Sequence, residues 1–235
     1  MRIVRFLARA GVSSRRTAAK LLKQGLIRVG GKTVNDPWVE VDPECDRVTF
    51  RGKEVKLPKE WTYLMLNKPK GVITTCSDKF RRPTALDLID LDEQGLVPVG
   101  RLDEDSEGLL FIMNDGELVH KLTHPSFEVE KEYKVILPRT PGKEIKNLVR
   151  GIDVGKDHLK AESVRFGEEK TVYITLKEGK NREVRRMLGS LGYRVLGLIR
   201  VRIGNLKLGN LPPGKWRRLT EQEVNELKKL CYGSY

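Results

Sequence analysis

The sequence is poor in cysteine and in aromatic residues, and it has no long apolar run. Its three cysteines, Cys45, Cys76 and Cys231, are odd in number, far apart and in no C-x-x-C pair. This pattern argues against a disulfide framework and against a cysteine zinc site. No stretch approaches the roughly 18 apolar residues of a membrane-spanning helix, and the N-terminus lacks the apolar core of a signal peptide. We therefore expect a cytoplasmic protein with no membrane partner.

Acidic residues are missing from the first 32 positions, which carry nine Lys or Arg. Residues 33–60 carry five basic and seven acidic side chains, so the positive charge is concentrated near the N-terminus. The whole chain has a formal charge of +13. A nucleic acid is the polyanionic partner that this charge favours, ahead of an anionic membrane surface.

Apolar residues at helical spacing predict two short helices in this basic region. Residues 3–10 carry apolar side chains at i, i+3, i+4 and i+7, and Ser13 or Ser14 can cap a second helix. A tight hairpin is expected at residues 26–34, around two adjacent glycines. Cations are expected to face outward from the two helices, among them Arg9, Arg16 and Lys20.

A composition change at residues 56–60 predicts a linker, so we place a boundary between two domains, 1–58 and 59–235. In the second domain, alternating residues 171–177 predict a strand, and the apolar positions of 184–191 predict one face of a helix. The polar residues 76–83 predict a mobile loop. Strands and helices are therefore mixed along the second domain.

An acidic loop stands at the centre of the second domain, where residues 99–111 read Val-Gly-Arg-Leu-Asp-Glu-Asp-Ser-Glu-Gly-Leu-Leu-Phe. Apolar runs precede and follow the loop, so two buried strands are expected to flank it and to present Asp103. Gly100 and Gly108 permit a turn or the close approach of another segment. Three interpretations are open from these residues alone: a solvated turn, a calcium loop and a catalytic carboxylate.

The metal interpretations are the weaker ones. The acidic loop matches the opening spacing of an EF-hand, but Asn114 occupies its twelfth position and its flanks are strand-like. His120 and His124 are one helical turn apart, but Lys121 stands where a zinc-binding H-E-x-x-H helix has its glutamate. No glycine loop has the ending of a nucleotide-binding motif. We expect no metal and no cofactor.

Two parts of the chain resemble known families. The first 50 residues, through Ala-Arg-Ala-Gly-Val-Ser-Ser-Arg-Arg and Gly-Leu-Ile-Arg-Val-Gly-Gly-Lys, resemble the S4 domain, a small RNA-binding module. Gly-Arg-Leu-Asp103-x-x-Ser-x-Gly108-Leu-Leu is similar to the active-site motif of pseudouridine synthases, particularly the RsuA/RluB-like branch of ribosomal enzymes. Further motifs of that branch follow the expected order at residues 66–71, 131–133, 178–187 and 198–204.

The resemblance implies that a uridine of ribosomal RNA is isomerised to pseudouridine without cofactor or metal. It makes Asp103 the essential carboxylate, either as a nucleophile on the ribose or as a base that removes a ribose proton. It implies that Tyr133 packs on the flipped uracil and that Arg185 pairs with Asp103. It also implies that Leu198 or Ile199 forms part of an apolar wall, and that Arg101 helps to hold the displaced RNA.

The resemblance also implies an α+β fold: two helices and a hairpin in the S4 domain, then a mixed, mostly antiparallel sheet flanked by helices. We expect a monomer whose partner is ribosomal RNA or an assembling ribosomal subunit. Large-subunit RNA is favoured over small-subunit RNA, and a non-catalytic S4 ribosome-assembly factor is the alternative from another class. Six cations are predicted to contact RNA phosphates: Arg9, Arg16, Lys20, Lys68, Arg182 and Arg186.

Overall fold

The computed structural model describes residues 1–58 and 60–233. Its contacts divide the chain into two units, of which the first comprises Met1–Thr62, Leu91–Val97 and Met113–Gly116. The second unit contains the rest of the chain. The domain boundary expected after residue 58 falls on Lys59, which lies outside the described residues. It remains a proposal.

The first unit contains the two helices and the hairpin that the sequence predicts. Ser14 caps the second helix, since its Oγ accepts a hydrogen bond from the Thr17 amide at 3.2 Å. A four-stranded sheet in the order β2-β1-β3-β4 covers the buried faces of both helices. Its elements are α1 Ile3–Arg9, α2 Arg15–Lys23, β1 Ile27–Val29, β2 Lys32–Thr33, β3 Val48–Phe50 and β4 Lys53–Val55.

The second unit is built on a nine-stranded sheet. Its strands are β5 Tyr63–Lys68, β6 Val97–Pro98, β7 Glu107–Met113, β8 Lys131–Ile136, β11 Ser163–Phe166, β12 Thr171–Leu176, β13 Gly197–Ile203, β14 Leu206–Lys207 and β15 Trp216–Arg218. A separate hairpin comprises β9 Ile152–Val154 and β10 Asp157–Leu159. The helices are α3 Gly116–Thr123, α4 Glu183–Ser190 and α5 Glu221–Tyr232, with 3-10 helices at Pro125–Phe127 and Lys143–Val149.

The main strand order is β11-β12-β8-β13-β7-β5-β15, with β14 beside β13 and β6 beside β7. The β11–β12, β12–β8, β8–β13 and β5–β15 pairs are antiparallel, whereas β13 and β7 run parallel. The expected α+β fold with a mixed, mostly antiparallel sheet is confirmed. The strand before the acidic loop, β6, contains only two residues and ends at Pro98. The sequence predicts a longer strand there.

The parallel β7–β13 pair positions the acidic loop at the start of β7. Gly108 has a left-handed φ of +105°, and a Cβ on it would lie 2.6 Å from the backbone nitrogen of Arg200 and closer still to its carbonyl oxygen. Only glycine allows the two strands to approach so closely. The close approach expected from the glycine at this end of the loop is therefore present.

Candidate active site

A cavity of about 670 Å³ lies above the acidic loop, entirely within the second unit. Its volume falls in the range of small-molecule sites, roughly 300–1,000 Å³. We call it the Asp103 cavity. Its walls come from four parts of the chain: residues 99–106, the end of α3 with the start of β8, the segment from the end of β12 into α4, and β13.

Asp103 is held at this cavity by its backbone. The Ser106 amide donates to the Asp103 carbonyl at 3.1 Å and closes a turn, and the Gly71 amide donates to the Glu104 carbonyl at 2.9 Å. The Asp103 side chain is 32% exposed, so its carboxylate is accessible to a ligand in the cavity. The nearest cationic group to that carboxylate is the Arg182 guanidinium, at 3.9 Å.

The expected pair between Arg185 and Asp103 is not what the structure contains. Arg185 ion-pairs with Asp105 at 3.2 Å and donates to the Asp105 carbonyl at 3.0 Å. Arg182 also binds the Asp105 carboxylate at 3.2 Å. Partial burial disfavours the charged carboxylate, but the Arg182 hydrogen bond and the two guanidinium charges prevail and lower the pKa of Asp105.

This correction has a simple geometric cause. Residues 103 and 105 lie on one tight turn, and both are within reach of Arg182, the residue that precedes α4. The sequence contains two carboxylates and two arginines in the right segments, but it carries no information about which side chains meet. Only the direction in which the turn presents each carboxylate decides the pairing.

The apolar wall of the Asp103 cavity contains Tyr133 on β8 and Leu198 on β13. They are 8% and 6% exposed, and Tyr133 is in register with Arg200 of the neighbouring strand. Ile199 does not line the cavity. Because successive side chains of a strand point to opposite faces, only one of Leu198 and Ile199 can form this wall, and it is Leu198.

Arg200 is a cavity residue that sequence reasoning missed. It is 2% exposed, and its Nε donates to the Leu109 carbonyl at 2.7 Å, while Nη1 donates to the Arg101 carbonyl at 3.2 Å. Its Nη2 is buried and has no hydrogen-bond partner among the described residues. Arg200 thus links the two ends of the acidic loop. The sequence could have indicated this role, because Arg200 lies two positions after the buried Leu198 and therefore on the same face of the strand.

Lys131 and Glu183 also line the cavity without having been predicted to do so. Burial lowers the pKa of Lys131 to about 8, and its Nζ donates to the Val129 carbonyl at 2.8 Å. Burial raises the pKa of Glu183, whose carboxyl accepts a hydrogen bond from the Lys180 amide at 2.9 Å. The cavity therefore combines a half-buried lysine and a buried glutamate with the Tyr133 ring.

The six predicted phosphate ligands lie in different environments. Lys68 is fully buried, and its Nζ donates to the carbonyls of Pro69 and Val72 at 2.9 and 2.6 Å, so in this structure its ammonium faces the protein interior. Arg186 binds Asp157 at 2.7 Å and the Val154 carbonyl at 2.8 Å, so its guanidinium is directed at the β9–β10 hairpin instead of an open surface.

The other predicted ligands are more accessible. Arg16 and Lys20 are exposed on α2, and Arg101 is exposed at the cavity wall. Arg182 keeps 46% of its side chain exposed. Arg9 is half-buried, because its guanidinium lies over the Trp61 ring at 4.5 Å from the centroid. A cation stacked on an indole in this way is partly shielded from a phosphate.

No group of three or more potential metal ligands occurs among residues 1–58 and 60–233. The His120 and His124 rings stack with their centroids 5.0 Å apart, beside Phe127. Within the same residues, no helix is long and apolar enough to cross a membrane.

Comparison with known proteins connects this cavity to a family. Residues 62–190 match the family model described as RNA pseudouridylate synthase, and residues 1–48 match the S4 domain. The first match covers more than half of the chain and includes the acidic loop, Tyr133 and α4.

Relatives extend the similarity over nearly the full length. An uncharacterized RNA pseudouridine synthase of Aquifex aeolicus is 43% identical over 98% of this chain and 97% of its own. The ribosomal large subunit pseudouridine synthase B of Bacillus subtilis is 38% identical over 98% of this chain and 96% of its own. A crystal structure of a pseudouridylate synthase has a TM-score of 0.70 at 30% identity, covering 97% of this chain and 99% of that one.

Proposed function

The chain belongs to the RNA pseudouridine synthase family, and from that premise we propose that it isomerises one uridine of ribosomal RNA to pseudouridine. Members of this family are isomerases that act on RNA. The observation that carries the proposal is the accessible Asp103 carboxylate beside a cavity large enough for a nucleotide.

The target uridine enters the cavity by base flipping. A base within a stack cannot be detached and rotated, so the RNA must extrude it at a cost of a few kcal/mol that surrounding contacts offset. Arg101 at the cavity wall supports the displaced RNA, and the exposed cations of α2 contact phosphates elsewhere on the substrate.

Within the cavity, Asp103 either attacks the ribose or removes a ribose proton, and the carbon–nitrogen glycosidic bond breaks. The base then rotates, and a carbon–carbon glycosidic bond forms as the Asp103–ribose bond breaks or, on the other route, as Asp103 returns the proton to the ribose. Tyr133 packs on the uracil and serves in the later removal of the proton from the new bonding carbon. Leu198 supplies the facing apolar surface. Arg185 and Arg182 hold the turn that presents Asp103, through their contacts with Asp105.

Large-subunit RNA is the proposed target. The support is the relative named ribosomal large subunit pseudouridine synthase B, which aligns over nearly its whole length. A substrate that is ribosomal RNA or an assembling ribosome places the enzyme in the cytoplasm, and we propose that it acts there as a monomer.

Replacement of Asp103 by Asn tests this function. Ribosomal RNA from cells lacking the protein is mapped for pseudouridine after complementation with wild type, Asp103→Asn or Asp92→Asn. Asp92 is an exposed carboxylate outside the cavity and serves as the matched control. We expect one large-subunit uridine to lose its modification and to regain it with wild type and with the control, but not with Asp103→Asn.

The same variants, purified, separate chemistry from binding. Loss of the essential carboxylate is expected to reduce turnover by on the order of 10³ or more, with RNA affinity unchanged. Modification by Asp103→Asn at the wild-type rate would refute the assigned role. An unchanged map in cells lacking the protein would refute the ribosomal substrate, and a map that changes in the small-subunit RNA would redirect the target.

A further inference from the structure

Residues 74–83 form a closed loop beside the Asp103 turn, which we call the Phe80 loop. Its ends meet where the Ile73 amide donates to the Pro83 carbonyl at 3.0 Å and the Ala85 amide donates to the Ile73 carbonyl at 2.9 Å. The sequence predicts a mobile polar segment here. The structure shows hydrogen bonds within this segment.

Asp78 organises the interior of the Phe80 loop. Its carboxylate accepts hydrogen bonds from the amides of Phe80 and Arg82, each at 3.0 Å, and from the Arg82 guanidinium at 2.8 Å. The hydrogen bonds from Arg82 lower the pKa of Asp78 to about 2, so the carboxylate is charged at neutral pH. Arg81, between the two bonded amides, has a left-handed φ of +55°. The loop tip therefore has a defined conformation.

The Phe80 loop is attached to the catalytic turn at two points. Thr74 Oγ1 donates to the Leu102 carbonyl at 2.9 Å, and the Leu102 amide donates to the same hydroxyl at 3.3 Å. Arg82 lies 3.8 Å from the carboxylate of Glu104. Leu102 and Glu104 are the two neighbours of Asp103. The position of the loop tip is consequently tied to the position of the catalytic carboxylate.

At the tip of this braced loop, Phe80 is 80% exposed, more than any other large apolar residue among those described. Exposed cations stand on either side of it, Lys79 and Arg81, and neither forms an ion pair with a described carboxylate. An aromatic face flanked by accessible positive charges has the chemistry that binds single-stranded nucleic acid, where bases stack on the ring and phosphates meet the cations.

We propose that Phe80 is a stacking platform for an unpaired base of the RNA substrate near the target uridine, with Lys79 and Arg81 contacting the adjoining phosphates. The inference rests on the proposed function, since it requires an RNA seated at Asp103. Its physical basis is that the contacts between the loop and the Asp103 turn restrict the distance from the stacked base to the cavity. The loop thereby helps to select which uridine is presented.

The test compares Phe80→Ala and Phe80→Trp with wild type on a ribosomal RNA fragment that wild type modifies. A stacking contact contributes about 1–3 kcal/mol per base, so Phe80→Ala should raise Kd and KM by about 5- to 150-fold. Because a saturated complex still contains the cavity intact, kcat should stay within a few-fold. Phe80→Trp should restore wild-type affinity, since an indole also stacks.

A fluorescent base locates the contact. Fragments with 2-aminopurine at single positions around the target should show a change of fluorescence on binding at one flanking position with wild type and Phe80→Trp, and the change should be lost with Phe80→Ala. Leu196→Ala is the matched control, because Leu196 is 50% exposed and lies outside the loop and the cavity. It should behave as wild type. The exposure of Phe80 means that thermal midpoints should be unchanged.

An unaltered Kd for Phe80→Ala on a fragment that wild type modifies would overturn the stacking proposal and leave the proposed function intact. Loss of activity by Phe80→Ala only on assembling ribosomes, with naked RNA bound and modified normally, would also overturn it and indicate a ribosomal protein as the partner. Failure of wild type on every ribosomal fragment would instead refute the proposed function.

Discussion

Lys68 keeps an ammonium group fully inside the second unit, with backbone carbonyls as its hydrogen-bond partners. Burial is the main reason that its pKa falls from 10.5 to about 8. At neutral pH the Lys68 ammonium is therefore charged, and the charged form is less stable in the folded protein than in the unfolded chain. A shift of this size corresponds to about 3 kcal/mol.

We predict that Lys68→Met removes part of the pH dependence of stability. Between pH 8 and 10.5 the unfolded chain binds more protons at this residue than the folded protein, so the free energy of unfolding of wild type rises with pH. Urea titrations at pH values of about 8, 9 and 10 should show a smaller rise for Lys68→Met. Exposed Lys207→Met is the control and should follow wild type, and equal slopes for all three proteins would contradict the prediction.

The positions of Arg182 and Arg185 at the start of α4 determine which carboxylates each of them contacts. Arg182 has a left-handed φ of +49° and precedes the helix, so its guanidinium reaches both Asp103 and Asp105. Arg185, one turn into the helix, reaches Asp105. Asp105 thus pairs with two cations beside the catalytic carboxylate. Asp103 itself has Arg182 as the only cationic neighbour within 4 Å among residues 1–58 and 60–233.

At the scale of elements, the β7–β13 pair determines the geometry of the site. Arg200 of β13 donates through its side chain to the carbonyls of Arg101 and Leu109, on either side of Asp103. Its backbone lies against Gly108. One buried residue therefore supports both ends of the acidic loop, and the strand pairing brings it there.

We predict that Gly108→Ala destabilises the protein by about 3 kcal/mol and lowers activity. The new Cβ would collide with the Arg200 backbone, which strand pairing prevents from moving aside, and the left-handed φ adds strain. Urea unfolding and turnover on the RNA fragment measure both effects.

The control for that substitution is Gly189→Ala. Gly189 is exposed inside α4 with open space around its Cα, so alanine should leave stability unchanged or raise it by up to about 1 kcal/mol. Wild-type stability in Gly108→Ala would show that the two strands separate without cost, contrary to the close packing described here.

For the whole molecule, the dominant property is an excess of 13 positive charges, placed most densely in the first 32 residues. Those residues lie within the part of the chain that matches the S4 domain. Arg16 and Lys20 are exposed on α2, whereas the apolar face of the helix is buried. The helix thus presents cations to solvent, as an RNA-binding surface requires.

We predict that the double variant Arg16→Ala/Lys20→Ala weakens RNA binding on all sequences and reduces the slope of log Kd against log salt by about one per lost phosphate contact. Turnover at saturating RNA should be unchanged, because these residues lie outside the Asp103 cavity. Filter binding at several salt concentrations measures the slope. Lys207→Ala/Lys229→Ala removes the same charge from exposed positions elsewhere, and an equal loss of slope there would argue against a specific role for α2.

Much of the fold was predictable because local patterns encode it. The helical spacing in residues 3–10 and the alternation in residues 171–177 correspond to α1 and β12, both with buried apolar faces. The hydrogen bonds of the loop at residues 76–83 to Asp78, and the attachment of Thr74 to Leu102, could not be predicted from its polar composition. No periodic pattern reports such contacts.

The sequence by itself determined the family, the chemistry available and the segment that carries Asp103, because residue types and their spacing are local properties. Tertiary structure alone decided which side chains meet. Because of the tertiary structure, Lys68 is buried and Arg185 pairs with Asp105. For the same reason Leu198 and not Ile199 lines the cavity, and Arg200 contacts the acidic loop. Each of these outcomes depends on strand register and turn direction, which are set by packing between segments distant in the chain.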